Sequence, residues 1–84
     1  MKILFVVATA MEAEYLRRQV PDKKVAVVSP GQRFGSRFDL IFVTDQYRRE
    51  QCYASEIMRE TNHRWFRESV ETRLSGPEAR IVHL

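Results

Sequence analysis

The sequence predicts an α/β fold, a small parallel sheet of four strands with helices on its faces. Two observations predict it: four short apolar runs, at residues 3–8, 23–29, 38–44 and 80–84, and two amphipathic stretches that separate the first run from the second and the third from the fourth. The order β-α-β-loop-β-α-β is that of a parallel sheet in which helices cover the apolar strands, and its crossovers are expected to be right-handed.

ILFVVA, residues 3–8, is continuous and rich in branched side chains, so it reads as a central strand buried on both faces. Thr9 is placed to cap the helix after it, and AMEAEYLRRQV has glutamates early and arginines late, which suits the helix dipole. Its expected inner stripe is Met11 with Tyr15, and Ala13 with Leu16 and Val20. Pro21 and Asp22 stop it. KKVAVVS is the second strand, PGQRFGSR a surface loop, and FDLIFVT a third strand nearly as apolar as the first. Residues 47–74 read as helix: Ala54, Ile57, Met58 and Thr61, then Trp65 or Phe66, Val70 and Leu74, fall at intervals of three and four, with Asn62 the expected break. In SGPEA, Gly76 is placed for a left-handed C-cap with Pro77 beyond it, and RIVHL closes the sheet.

With 84 residues the chain holds one domain with a modest core, and 44% apolar against 30% charged residues is the balance of a folded protein. The opening apolar run is too short to span a bilayer and has no cleavage site after it, so neither a membrane anchor nor a secretory leader is expected. A single cysteine, Cys52, allows no internal disulfide, and the expected compartment is the cytoplasm. His63 and His83 have no partners at zinc-ligand spacing, so no metal is expected. Trp65 and Phe66, at helical spacing, read as core more than as a stacking platform for bases.

Chemistry is looked for first where FDLIFVT ends, at Thr44 and Asp45, because nucleotide-hydrolysing α/β proteins keep metal-binding acids there. Their other requirement, a Gly-rich loop with Lys after the first strand, is unmet: ATAMEAEYL has neither, and Glu12 and Glu14 would repel a polyphosphate. The ligand-binding candidates are Thr9, Thr44 and Asp45; no catalytic residue is assigned. The net charge of +3 is mild. Arg33, Arg37, Arg48 and Arg49 lie in or beside loops that a parallel sheet could bring to one end, and they are the nucleic-acid candidates; ion pairs with Glu50, Glu56 and Glu60 are their competing use.

FDLIFVTD, a long helix, and then WFRESVETRLSGPEARIVHL resemble the central part of the ATPase domain of the phage terminase large subunit. The likeness covers residues 38–84 and rests on Trp65, Phe66, Thr72, Arg73 and Leu74 standing in that order before ARIV. It implies that Thr44 occupies the place of the magnesium-holding acid and Asp45 that of the water-activating acid. Shifted by one residue, Asp45 is the metal acid and Gln46 replaces the other; one acid is missing either way. The resemblance thus implies a P-loop NTPase-like or Rossmann-like core without its phosphate-binding loop, a phage protein in a bacterial host, and a strand order of 1-4-3-2. The residues by themselves leave 2-1-3-4 open. MKILFVVATAMEAEYL is also similar to the opening of methylthioadenosine and futalosine nucleosidases, which would make Glu14 an acid for glycosidic cleavage. The alternative is that Glu12 and Glu14 are first-turn acids of a helix.

The expected function is a non-catalytic module that binds a protein partner or a second copy of itself and uses no cofactor, because a short parallel sheet leaves edge strands for a partner to cover. Two other readings remain: nucleic-acid binding through the arginines, with affinity that falls steeply with salt, and a nucleotide site or enzyme using Asp45 beside a pocket.

Overall fold

Every residue of β1 (Ile3–Val6) is apolar, and the chain gives this strand a neighbour on each side. The computed structural model describes residues 1–32 and 35–84. After β1 come α1 (Ala10–Gln19), β2 (Val25–Val28), β3 (Phe38–Val43), α2 (Asp45–Tyr53), α3 (Glu56–Trp65), a π-helical segment (Phe66–Arg73) and β4 (Ser75–His83). All neighbouring strands are parallel, in the order β2-β1-β3-β4.

This order corrects the 1-4-3-2 implied by the terminase resemblance. β4 does not insert between β1 and β3, which pair directly from Ile3 with Leu40 to Val6 with Val43. The physical reason is the polarity of β4: Glu78 and Arg80 are exposed, and Pro77, which has no N–H for a ladder, lies in the irregular stretch between Ser75 opposite Phe38 and Arg80 opposite Leu40, so the strand suits an outer position. Going outward from the centre in opposite directions, two crossovers of one hand must carry their helices on opposite faces. They do: the main core joins Leu4, Val6, Ile41 and Val43 to Tyr47, Phe66, Val70 and Leu74, while a smaller cluster joins Val7 and Val27 to Ala13 of α1. Near the start of β3, the N–H groups of Asp39 and Leu40 both donate to the Lys2 carbonyl, at 2.9 and 3.2 Å. That bulge turns Phe38 onto the main core with Ile41.

Three local expectations change. The helical stretch breaks at Ala54 and Ser55, where the Ser55 hydroxyl accepts from the Met58 N–H at 3.3 Å, while Asn62 stays helical. Gly76 makes no left-handed cap: it belongs to β4, where a Cβ would lie 3.3 Å from the Phe38 carbonyl oxygen. Among the described residues the positive φ is instead at Gly31, within a Ser29-Pro30-Gly31-Gln32 turn closed by the Gln32 N–H on the Ser29 carbonyl at 3.0 Å. The stripes are also narrower than expected. Met11, Tyr15, Ile57 and Met58 are exposed, so α1 packs through Ala13 and Leu16, and α3 buries no residue fully. No helix among the described residues is long and apolar enough to cross a membrane.

Candidate functional site

Parallel α/β sheets bind ligands outside the carboxyl ends of their strands, where crossovers diverge. Here that point lies between β1 and β3, and Thr9 and Thr44 flank it. Both are occupied with capping. The Thr9 hydroxyl accepts from the Glu12 N–H at 3.2 Å, and the Glu12 carboxylate accepts from the N–H groups of Ala8 and Thr9, a closed capping box. Glu14 pairs with Arg18 at 3.1 Å on the surface. The buried Thr44 hydroxyl donates to the Val6 carbonyl at 2.8 Å and accepts from the Tyr47 N–H at 3.4 Å, tying β1 to the start of α2. Replacing it with the isosteric valine removes both bonds. Thr44→Val is expected to cost about 1.5 kcal/mol in urea denaturation, more than Thr9→Ala, because its bonds are buried.

Asp45 follows that cap with its carboxylate turned along its own helix, 2.8 Å from Arg49 and 3.5 Å from Arg48. It lines neither of the two clefts beside it. Glu50, Glu56 and Glu60, the expected partners of the arginines, are not used for these pairs; Asp45 takes both. Arg37 precedes β3 and Arg48 and Arg49 follow it, so a six-residue strand, about 20 Å long, separates them. The expected gathering at one end is therefore not formed. Arg33 lies outside the described residues. Arg17 is structural, with its guanidinium 2.8 Å from the Val27 carbonyl and 3.1 Å from Gln32 Oε1.

Two clefts open near the carboxyl end of the sheet. One, about 320 Å³, lies at the divergence point between α1 and the start of α2, lined by Val7, Met11, Glu12, Tyr15, Leu16, Thr44 and Gln46. The other, about 620 Å³, lies on the opposite face under α2 and α3. Val43, Tyr47 and Phe66 line its apolar part; Arg48, Gln51 and Cys52 reach it from α2, Arg59 and His63 from α3, Glu71 from the π-helical segment and His83 from β4. Tyr47 stacks obliquely on Phe66, centroids 5.7 Å apart, and burial pushes its phenol up to about 12. Gln51 Nε2 is buried and has no acceptor among the described residues.

Sequence reading did not bring these groups together. His63 and Arg59 are four residues apart on one helix face, and His83 ends a strand at the carboxyl edge; those two facts were the available signal. No group of three His, Cys, Asp or Glu side chains among the described residues could hold a metal. Compared with protein-family models, with curated proteins and with solved structures, the chain matches none.

Proposed function

We propose that this protein is a non-catalytic association module that pairs with a second copy of itself through the half-covered face of its sheet. α1 covers β1 and β2 there, with Ala13 and Leu16 on Val7, Val27 and Phe5. Over β3 and β4 that face has no helix among the described residues, and Leu40, Phe42 and Val82 stay partly exposed. Beside this trough stands α1, from whose flank Met11, 82% exposed, and Tyr15, 64% exposed, project at the rim of the smaller cleft. A ridge next to a trough is self-complementary about a two-fold axis, since each copy's ridge enters the other's trough. Charge fits the same arrangement. Arg80 shares the face of Leu40 by register and has no carboxylate partner among the described residues, while Glu14 stands on the exposed side of α1.

Two further features support the non-catalytic part. Thr9, Thr44 and Asp45 are consumed by caps and ion pairs, and the likeness of residues 38–84 to the terminase ATPase core lacks one acid of its pair.

Sedimentation velocity tests the proposal. The expected result is a dimer with a dissociation constant on the order of micromolar, weakened at least about tenfold by Tyr15→Glu, a change at an exposed side chain outside both core clusters. Glu14→Arg should weaken it too, and Arg80→Glu in the same chain should restore it. A chain that stays monomeric at every concentration, or a Tyr15→Glu variant that pairs unchanged, removes the reading. Steeply salt-dependent DNA binding by such a monomer would favour the nucleic-acid alternative.

A further inference from the structure

The 620 Å³ cavity lies on the face of the sheet opposite the surface proposed for pairing, and its chemistry is of a different kind. We propose that it binds a small planar aromatic monocarboxylate. Its volume lies within the range of small-molecule sites, and its inner part is apolar and aromatic, with the rings of Tyr47 and Phe66 at the wall for a ring to pack on and Val43 beside them. The helical side supplies the charge. Arg59 is held by two main-chain carbonyls, Nε 3.0 Å from Gln51 O and a terminal nitrogen 3.3 Å from Ala54 O. Those partners fix the guanidinium without neutralising it. Arg48 shares Asp45 with Arg49, which has the shorter bond, 2.8 Å against 3.5 Å.

Gln51 lines the same wall; its Nε2, beneath the surface and without an acceptor among the described residues, becomes a donor to a carboxylate oxygen when the side chain turns toward the cavity. His63 and His83 bring ring donors from α3 and β4. Among the described lining residues Glu71 is the one carboxylate and sets the charge limit: with Arg48 and Arg59 against it, a single negative charge suits the site better than a polyphosphate. The ligand therefore ends in one carboxylate toward Arg48, Arg59 and Gln51, with its ring on Tyr47 and Phe66.

The test is an amide-resolved NMR titration of the full chain with 2-naphthoate, its neutral carboxamide and inorganic phosphate. Naphthoate should saturate with a dissociation constant on the order of 0.1–1 mM and the carboxamide should bind about tenfold more weakly. The Gln51 side-chain NH2 signal and the amides of Tyr47, His63, Phe66 and His83 should move. Arg48→Gln should weaken naphthoate about fivefold, and Arg59→Gln about tenfold. Because Arg59 also holds the end of α2, thermal melts accompany that variant, while Arg48→Gln leaves these main-chain bonds intact. Absence of saturation to about 10 mM, equal affinity for acid and carboxamide, or phosphate binding as tight as naphthoate would overturn the proposal. So would shifts centred on Met11, Tyr15 and Phe42, which would place the ring in the trough.

Discussion

Leu4→Ala is expected to remove about 3 kcal/mol of stability, the largest single loss predicted for this chain. Leu4 is fully buried in an interior strand, with Ala26 and Ile41 beside it in register and the helical face above. Neighbours held by two ladders cannot collapse into the space left by its missing carbons, so the cavity term adds to the lost transfer energy. An 84-residue domain has a total stability on the order of 4–12 kcal/mol, so the change consumes a large part of it and lowers the melting temperature by roughly 15 °C. Ile57→Ala is the contrast. Its spacing in the sequence puts it on an inner stripe, yet it is 78% exposed on α3, and its loss should stay within about 0.5 kcal/mol. Urea denaturation at a concentration too low for the proposed pairing measures both. Equal losses at the two positions would mean that α3 packs on the sheet as its periodicity suggests, and that the cavity beneath it is closed.

The strands were legible because a parallel strand inside a sheet is apolar nearly throughout: β1 is ILFV, and β3, FDLIFV, departs from it only at the exposed Asp39. The caps were legible in part: Thr9 was placed correctly, whereas Ser55 was hidden by a helical period that runs past it to the break expected at Asn62. Strand order was legible only in part: the residues leave 2-1-3-4 open, which is the order found, while the terminase resemblance implies 1-4-3-2, and Pro77, expected in the turn before the last strand, falls inside β4. Periodicity showed which residues of α1 and α3 are apolar without showing how much sheet lies beneath them, so Met11, Tyr15, Ile57 and Met58 were assigned to a core that does not reach them. The cavity was the least visible feature. Its lining, among the described residues, comes from two strands and three helical segments, and Val43, Arg59 and His83 share one cavity only once β4 has paired with β3.

Above pH 10 the protein should lose up to about 2 kcal/mol through Tyr47 alone. Burial raises this phenol from 10.0 to about 12 in the folded chain, because a phenolate packed against Phe66 and Trp65 would give up hydration that the unfolded chain keeps. Between those two values the unfolded state has released the proton while the folded state still holds it. Raising the pH therefore favours unfolding, and the contribution that is fully present below pH 10 has gone by about pH 12. Because the ring also lines the open cavity, water offsets part of the penalty, which keeps the figure below the full two units. Tyr47→Phe keeps the ring contacts and removes the titrating group. The difference in urea midpoint between the two proteins, followed from neutral pH to about pH 12, cancels the groups common to both and should change in favour of the variant. A difference that stays constant with pH would show the Tyr47 phenol in contact with water in the folded state, and the floor of the aromatic site would then be wetter than the packing of Tyr47 on Phe66 and Trp65 implies.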